Sequence, residues 1–236
     1  MSDASGPQQL ALALGHAASF APEDFLEGPS NAAALALIER WPDWPDRVVA
    51  LVGPEGSGKS HLAAIWAERV GGRVVCARAL REVDLPASLA TGALVIDDLP
   101  ADEGAERALF HLLNLAREER AFALITARSA PAAWPVHIPD LASRLRALPV
   151  MRLEPPDDTL LRGVLVKLFA DRQLVVDESL IAYVMTRIER SFAAARVAVA
   201  ELDSEALRRQ RPVTRALAVE TLGHFEPGRE PGGGVT

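Results

Sequence analysis

The sequence has little of several residue types, and each shortage excludes a class of protein. Its 236 residues contain one cysteine, Cys76, which excludes an internal disulfide and favours a reducing compartment. No stretch approaches the roughly 18 consecutive apolar residues that a membrane-spanning helix needs. Residues 1–9 lack the basic and apolar regions of a signal peptide, so we expect a cytoplasmic protein with no membrane partner. Because Cys76 lies in an apolar run, we expect it to be buried and inert.

Lysine is also scarce, since only Lys59 and Lys167 occur among the 25 basic residues. The 32 acidic residues give a net charge of −7, which argues against a protein whose main task is to grip nucleic acid. Hydrophobic residues make up 49% of the chain, enough for a sizeable core. This composition excludes collagen-like and wholly disordered proteins.

Short apolar runs rich in β-branched residues alternate with helical patterns in the first two thirds of the chain. The runs lie at 48–52, 73–77, 93–97, 122–126 and 149–153, and they predict an α/β fold with a five-stranded parallel sheet. After Pro155 and Pro156 the patterns are helical only, at 157–172, 177–189, 191–210 and 214–225. The expected N-caps are Asp157, Asp177 and Thr214, with Ser30 capping an earlier helix at 31–40.

A glycine-rich segment after the first apolar run has the pattern of a phosphate-binding loop. Its residues are Gly53, Pro54, Glu55, Gly56, Ser57, Gly58, Lys59 and Ser60, which satisfy G-x-x-x-x-G-K-[ST] between a predicted strand and a predicted helix. Backbone N–H groups and the helix N-terminus would hold the phosphates of ADP or ATP. Lys59 would reach the β- and γ-phosphates and Ser60 would ligate Mg²⁺. His61 is expected to pack beside the loop or to approach the phosphates.

Two carboxylates follow the third apolar run, at Asp97 and Asp98. In a P-loop fold this strand lies beside the first, so Asp97 could join Ser60 in holding Mg²⁺, and Asp98 could orient or deprotonate the attacking water. The alternative is that both carboxylates simply begin a solvated loop. With the phosphate-binding loop upstream, the functional interpretation is favoured.

At this point the sequence resembles the AAA+ proteins of the DnaA family, the bacterial replication initiators, over about residues 19–225. The similar segments are SFAPEDFLEGPSNAAALALI (19–38), VIDD (95–98), LFHLLNLARE (109–118), LITARSAP (124–131) and IPDLASRL (138–145). The resemblance implies an AAA+ P-loop NTPase with a five-stranded parallel sheet followed by a small all-α lid domain. It also implies that Arg144, in the S-R-L element, is an arginine finger that acts in trans. The alternative for Arg144 is a surface cation or a pair with Asp140.

The N-terminal segment carries a second resemblance. Gln9, Leu10, Leu12 and Leu14 match the Q-L-x-L-x-L peptide by which proteins dock on the sliding clamp of DNA polymerase III. The alternative is an apolar strand or helix start of the folded domain. The sequence also lacks the helix-turn-helix part of the initiator, and we expect it to act on DNA only indirectly. Together these features resemble regulatory relatives of the initiator, which implies two partners, DnaA and the clamp, and a nucleoid- or replisome-associated location.

We therefore expect four parts: a flexible clamp-binding segment at 1–18, an AAA+ α/β nucleotide-binding domain at 19–154, a helical lid domain at 155–225 and a disordered tail at 226–236. Self-association into a homo-oligomer is left open.

The sequence departs from the family pattern at both sensor positions. Arg128 stands where the family has an acidic sensor I residue, and Ala193 stands at the sensor II arginine, with Arg190 and Arg196 about one turn to either side. These departures predict weak intrinsic ATP hydrolysis.

Two other functions use the same motifs. One is a DnaA-like or helicase-loader-like ATPase acting in replication initiation, which tight binding to duplex DNA would favour. The other is a metabolic P-loop phosphotransferase, which would need a site for a small acceptor substrate.

Overall fold

The structure is a computed structural model, and it describes residues 25–100 and 105–223. The predicted clamp-binding residues Gln9, Leu10, Leu12 and Leu14 and the predicted tail at 226–236 lie outside the described residues. No helix in the described part of the chain is both long and apolar enough to cross a membrane.

The elements alternate between strands and helices up to residue 152 and are helical thereafter. The strands are β1 (Val48–Val52), β2 (Arg73–Cys76), β3 (Ala93–Leu99), β4 (Phe122–Ala127) and β5 (Val150–Arg152). The first five helices are α1 (Ala32–Glu39), α2 (Lys59–Val70), α3 (Leu85–Leu89), α4 (Ala105–Glu118) and α5 (Pro139–Ala147). The last four are α6 (Asp158–Asp171), α7 (Glu178–Arg187), α8 (Phe192–Arg209) and α9 (Arg215–Leu222).

The five strands form one parallel sheet in the order β2-β3-β4-β1-β5, which confirms the predicted fold class. β1 pairs with β4 so that Val48 lies opposite Ala123 and Val52 opposite Ala127. Every residue of β1 is buried, because helices cover both faces of the sheet, and this explains its continuous apolar run. Because the strands are parallel, their carboxyl ends lie at one edge of the sheet, where the segments that follow β1 and β4 are neighbours.

Separate hydrophobic clusters stabilise the two faces of the sheet. One face packs against α4 and α5 through Leu112, Leu141 and their neighbours. The other face packs against α1 and α2, where Trp66 is fully buried and stacks on Trp44 with ring centroids 4.8 Å apart. Burying such large side chains anchors α2, and with α2 the loop that precedes it.

Helices α6–α9 surround a hydrophobic cluster of their own, which includes Phe169, Leu180 and Leu202. Three of them begin at the predicted caps: the side chains of Asp157, Asp177 and Thr214 accept hydrogen bonds from backbone N–H groups three residues ahead. The segment after β5 is therefore all-helical, as the sequence predicted, while its role as a lid domain and the domain limits given above stay predictions.

Two expectations about single residues are wrong. Ser30 does not cap α1; the N-cap is Asn31, whose side chain instead accepts from Gly28 N at 2.8 Å and donates to Leu26 O at 2.9 Å. Cys76 is exposed rather than buried, because β2 is an edge strand of the sheet and all of its residues except Val75 are exposed.

The end of α8 carries a cluster of ion pairs. Arg208 Nε donates to the Glu205 carboxylate at 2.7 Å, and Arg209 also bonds it. The hydrogen bonds from Arg208, with the positive charge of both arginines, lower the pKa of Glu205 to about 2. Arg208 and Arg209 lie in the last turn of the helix and share the Glu205 carboxylate, and Arg209 also pairs with Glu220.

Candidate functional site

The predicted phosphate-binding loop connects β1 to α2 at the carboxyl edge of the sheet. Gly58 is the N-cap of α2 and has no side chain to satisfy the first N–H groups of the helix, so these donors face the loop. A concave turn of backbone N–H groups at a helix N-terminus suits the binding of phosphate oxygens. All the predicted cofactor-binding residues, from Gly53 to His61, lie in this strand–loop–helix unit. The ring of His61 meets Phe25 edge-on, with centroids 5.4 Å apart.

Lys59 lies inside the loop rather than on its surface. Its Nζ donates to Gly53 O at 2.8 Å and to Pro54 O at 2.6 Å, and only 8% of the residue is exposed. Burial lowers the pKa of Lys59, and the nearby positive charge of Arg128 lowers it further. The ammonium is thereby held among the groups that would surround a phosphate.

Asp97, at the end of β3, is connected to the loop and to the neighbouring strand. Ser60 Oγ donates to Asp97 Oδ1 at 3.0 Å, so the two predicted metal ligands lie side by side. Thr126, in β4, donates from its hydroxyl to the same oxygen at 2.5 Å. Its Oγ1 also accepts from Asp98 N at 2.9 Å. One buried hydroxyl therefore fixes both carboxylate-bearing residues.

Thr126 was not among the residues predicted from the sequence. Its signal is a polar residue near the end of an otherwise apolar strand, next to the strand that carries Asp97 and Asp98. A polar side chain buried to 1% exposure needs a partner, and the paired carboxylate strand provides it.

Asp98 has an unusual backbone conformation. Its φ is +67°, and the pairing of β3 with β4 shifts register between Ile96 and Leu99. The left-handed conformation, which aspartate tolerates better than most residues, turns the side chain outward. Arg128 Nε lies 3.8 Å from the Asp98 carboxylate, and Arg128 Nη1 lies 2.8 Å from that of Glu55. Arg128 thus links the phosphate-binding loop to the end of β3.

The N-terminus of α8 lies directly against the loop. Phe192 N donates to Gly56 O at 2.8 Å. Gly56 has a φ of +69°, and an added Cβ there would lie 2.9 Å from the Cβ atoms of Ser191 and Ala193. Ala193, the position predicted to align with sensor II, therefore faces the loop, but its side chain is a methyl group.

The arginines on either side of Ala193 differ in surroundings. Arg190 pairs with Asp158 at 3.0 Å, at the start of α6. Desolvation lowers the pKa of Arg196, one turn into α8.

Arg144 lies elsewhere. It is on α5, which leads from the carboxyl end of β4 back to the amino end of β5. Its guanidinium donates to Asn114 Oδ1 at 2.5 Å, pairs with Asp140 at 3.1 Å and lies 5.1 Å from the ring centre of Phe110. The alternative pairing with Asp140 is therefore present, and 33% of the side chain is still exposed. The structure brings Ser60, Asp97 and Asp98 together with the loop, and it holds Arg144 apart from them.

The oxygen pair of Ser60 and Asp97 is suited to Mg²⁺. In the described residues, no three His, Cys, Asp or Glu side chains come together as a self-contained metal site. Mg²⁺ is commonly held by one or two carboxylates together with the phosphates of a substrate, so this two-residue arrangement fits a metal shared with a nucleotide.

Comparison with known proteins places this geometry in context. The sequence matches none of the known family profiles. It is 25% identical over 234 residues to the chromosomal replication initiator protein DnaA of Thermomicrobium roseum, covering 85% of this chain and 48% of that protein. The chain thus spans about half the length of this curated relative.

Solved structures show the same fold. Domain III of the Thermotoga maritima replication initiation protein DnaA has a TM-score of 0.72 at 20% identity, with 87% of this chain and 96% of that one covered. AMPPCP-bound DnaA from Aquifex aeolicus has a TM-score of 0.62 at 16% identity, with 79% and 65% covered. The Thermotoga maritima RuvB Holliday junction branch migration motor has a TM-score of 0.62 at 19% identity, with 87% and 72% covered. The chain therefore shares the fold of domain III of DnaA, an α/β fold with a five-stranded parallel sheet.

Proposed function

We propose that this protein is a nucleotide-bound AAA+ regulator of the Hda type, which inactivates the replication initiator DnaA by stimulating hydrolysis of DnaA-bound ATP. The observation that carries the proposal is the position of Arg144. It lies on an exposed helix away from the chain's own phosphate-binding loop, and three neighbours orient its guanidinium. A cation in this position is suited to contact the phosphates of a nucleotide that another subunit holds.

The chain's own nucleotide, ADP or ATP, would be held by the backbone of residues 53–58, with Lys59 at the phosphates and His61 beside the loop. Ser60 and Asp97 would hold Mg²⁺, which when bound neutralises phosphate charge. The similar Aquifex aeolicus DnaA is AMPPCP-bound, which supports nucleotide binding by this chain. Contact between α8 and Gly56 would make the position of the lid sensitive to that nucleotide.

The nucleotide is proposed to act as a switch rather than as a fuel. Asp98 is the residue proposed to orient or deprotonate water, but its carboxylate lies near the Arg128 cation. Arg128 cannot accept a proton or a hydrogen bond, and Ala193 offers no charge to the phosphates. Intrinsic hydrolysis should therefore be slow.

Arg144 would supply the catalytic cation in trans. An arginine finger stabilises the charge that develops on the transferring phosphoryl group, and this contribution is on the order of 10³–10⁵ in rate. Because the guanidinium is already fixed by Asn114 and Asp140, little of its conformational freedom would be lost on engaging the second subunit.

Docking on the sliding clamp of DNA polymerase III is proposed for Gln9, Leu10, Leu12 and Leu14. An extended peptide would place alternate leucines in an apolar pocket, and the glutamine amide would fix the register through hydrogen bonds. Clamp docking would concentrate the protein where replication is under way, in the nucleoid.

A DnaA-like or loader-like ATPase is the second candidate, favoured by the sequence similarity to DnaA itself. This second function predicts ATP turnover by the chain alone and tight binding to DNA at moderate salt. The proposed regulatory function predicts neither property.

The test mixes ATP-loaded DnaA, this protein and clamp loaded on DNA, and measures the loss of DnaA-bound ATP. The wild-type chain should accelerate that loss, and deletion of residues 8–14 should abolish the effect only at concentrations where clamp docking is needed. Arg144→Ala should abolish it at every concentration. No acceleration by the wild-type chain, together with rapid hydrolysis of its own ATP, would favour the second candidate.

A further inference from the structure

A cavity of about 610 Å³ opens at the edge of the sheet opposite the phosphate-binding loop. Arg47 and Val48 line it where β1 begins, Arg120 where the chain turns into β4, and Leu148 just before β5. The loop follows the other end of β1, about 13 Å away along the strand. The cavity is therefore a separate site.

The cavity concentrates positive charge on a chain that is acidic overall. Its lining includes the four arginines 47, 117, 120 and 144 and the single carboxylate of Asp46, whereas the whole chain has a net charge of −7. Arg144 is partly balanced by its pair with Asp140, but the other three arginines form no ion pair within the described residues, so an anion in the cavity would be stabilised chiefly by those three.

Contacts within the chain hold two of these arginines in place, and the side chains of the other two are available to a ligand. Arg47 Nη1 donates to Arg120 O at 2.5 Å, and its guanidinium lies 4.9 Å from the ring centre of Phe122. Arg144 is fixed by the contacts described above. Neither the Arg117 side chain nor the Arg120 side chain has a hydrogen bond or ion pair to another residue in the described part of the chain, and both residues are exposed.

We infer that this arginine cavity binds a chain of adjacent phosphates and is a second oligophosphate site of the protein. Guanidinium groups match phosphate geometry through paired N–H donors, and several around a single cavity favour a compact oligophosphate over one isolated anion. The volume suits a ligand of this size. The phosphates could belong to a free oligophosphate or to the nucleotide of a docked subunit, and the second source rests on the function proposed for Arg144.

The first arm of the test uses inorganic tripolyphosphate and the full chain, measured by isothermal titration calorimetry. The phosphate-binding loop is saturated with ADP and Mg²⁺ or, in parallel, disabled by Lys59→Met, with circular dichroism to verify folding. Tripolyphosphate should bind in both cases. Arg117→Gln and Arg120→Gln should each raise the Kd for tripolyphosphate roughly tenfold. Arg146→Gln, which removes an exposed arginine of α5 outside the cavity, should change Kd less than twofold.

The second arm identifies the source of the phosphates. If they come from a docked nucleotide, the Arg117→Gln/Arg120→Gln variant should bind ATP-loaded DnaA more weakly than wild type while binding nucleotide-free DnaA equally well. Equal binding to ATP-loaded DnaA, with tripolyphosphate binding lost, would assign the site to a free oligophosphate.

Two results would overturn the inference: tripolyphosphate fails to bind outside the loop, or its Kd is the same in the double variant. In that case the arginines would only complement the C-terminal end of α4. If duplex DNA, but not tripolyphosphate, lost affinity in the double variant, the site would instead be one for a nucleic-acid backbone. Stimulation of DnaA by wild-type protein and its loss in Arg144→Ala would still stand in each case, so the two proposals can fail separately.

Discussion

Replacing Thr126 with valine tests whether one buried hydroxyl organises the end of β3. Valine keeps the shape of the side chain but removes the donor to Asp97 Oδ1 and the acceptor for Asp98 N. The neutral bond contributes about 1 kcal/mol and the bond to the carboxylate about 1.5–3 kcal/mol. Because Asp97 is only partly buried, the lower end of that range applies, and we expect a total loss of about 2–3 kcal/mol.

Urea unfolding of the two variants Thr126→Val and Thr126→Ser gives the measurement. Serine keeps the hydroxyl and loses one buried methyl group, which costs about 1 kcal/mol. We expect valine to be the more destabilising change of the two. Titration with Mg²⁺ and ADP should show weaker, less Mg²⁺-dependent binding in the valine variant and unchanged binding in the serine variant.

If Thr126→Val unfolded at the same urea concentration as the wild-type chain, the hydroxyl would not organise the end of β3. A serine variant that lost as much nucleotide affinity as the valine variant would also argue against this role of the hydroxyl, since packing of the methyl group would then explain the effect.

Three further changes have defined outcomes. Gly56→Ala should lower stability in urea by more than Gly71→Ala does. At Gly71 the only cost is backbone strain of about 1–2 kcal/mol, whereas at Gly56 the new Cβ would also meet the start of α8. Equal losses at the two positions would argue against that contact. The pKa of Glu205 is lowered from 4.5 to about 2, so its contribution to stability is present above about pH 4.5 and is lost as the pH falls towards 2. Glu205→Gln should therefore reduce the loss of unfolding free energy over this pH range. An unchanged pH dependence would contradict the assignment. Arg128→Gln should raise the pKa of Lys59, as measured by NMR, but leave it below its ordinary value because burial is the larger cause. An unchanged pKa would show that the two charges do not interact.

Local sequence patterns were sufficient to predict the fold because each pattern reflects an interaction close in the chain. The apolar run of β1 is followed at once by the glycines of the loop and by α2, so strand, loop and helix could be predicted together. Asp157, Asp177 and Thr214 cap their helices through bonds to N–H groups three residues ahead, and the sequence contains both partners. The prediction for Ser30 was wrong because Asn31, one residue later, occupies the cap position and its side chain bonds to the preceding turn.

Contacts between distant segments could not be predicted in this way. Thr126 meets Asp97 only because β4 lies next to β3 in the sheet, and Cys76 is exposed only because β2 is at the edge. The contact between Arg144 and Asn114 joins residues 30 positions apart. The arginine cavity gathers residues from 46 to 148, so nothing in any one stretch of sequence marks it.

The most direct test of the central claim is a single-turnover measurement of ATP hydrolysis in DnaA, with this protein and DNA-loaded clamp at saturating concentration. We predict that Arg144→Ala lowers the maximal rate by about 10³-fold or more while leaving the concentration for half-maximal effect nearly unchanged. Arg146→Ala, which removes a second arginine from the same helix, should retain the full rate. If Arg144→Ala retained the wild-type maximal rate at saturation, Arg144 would not be the catalytic cation and the proposed function would be contradicted.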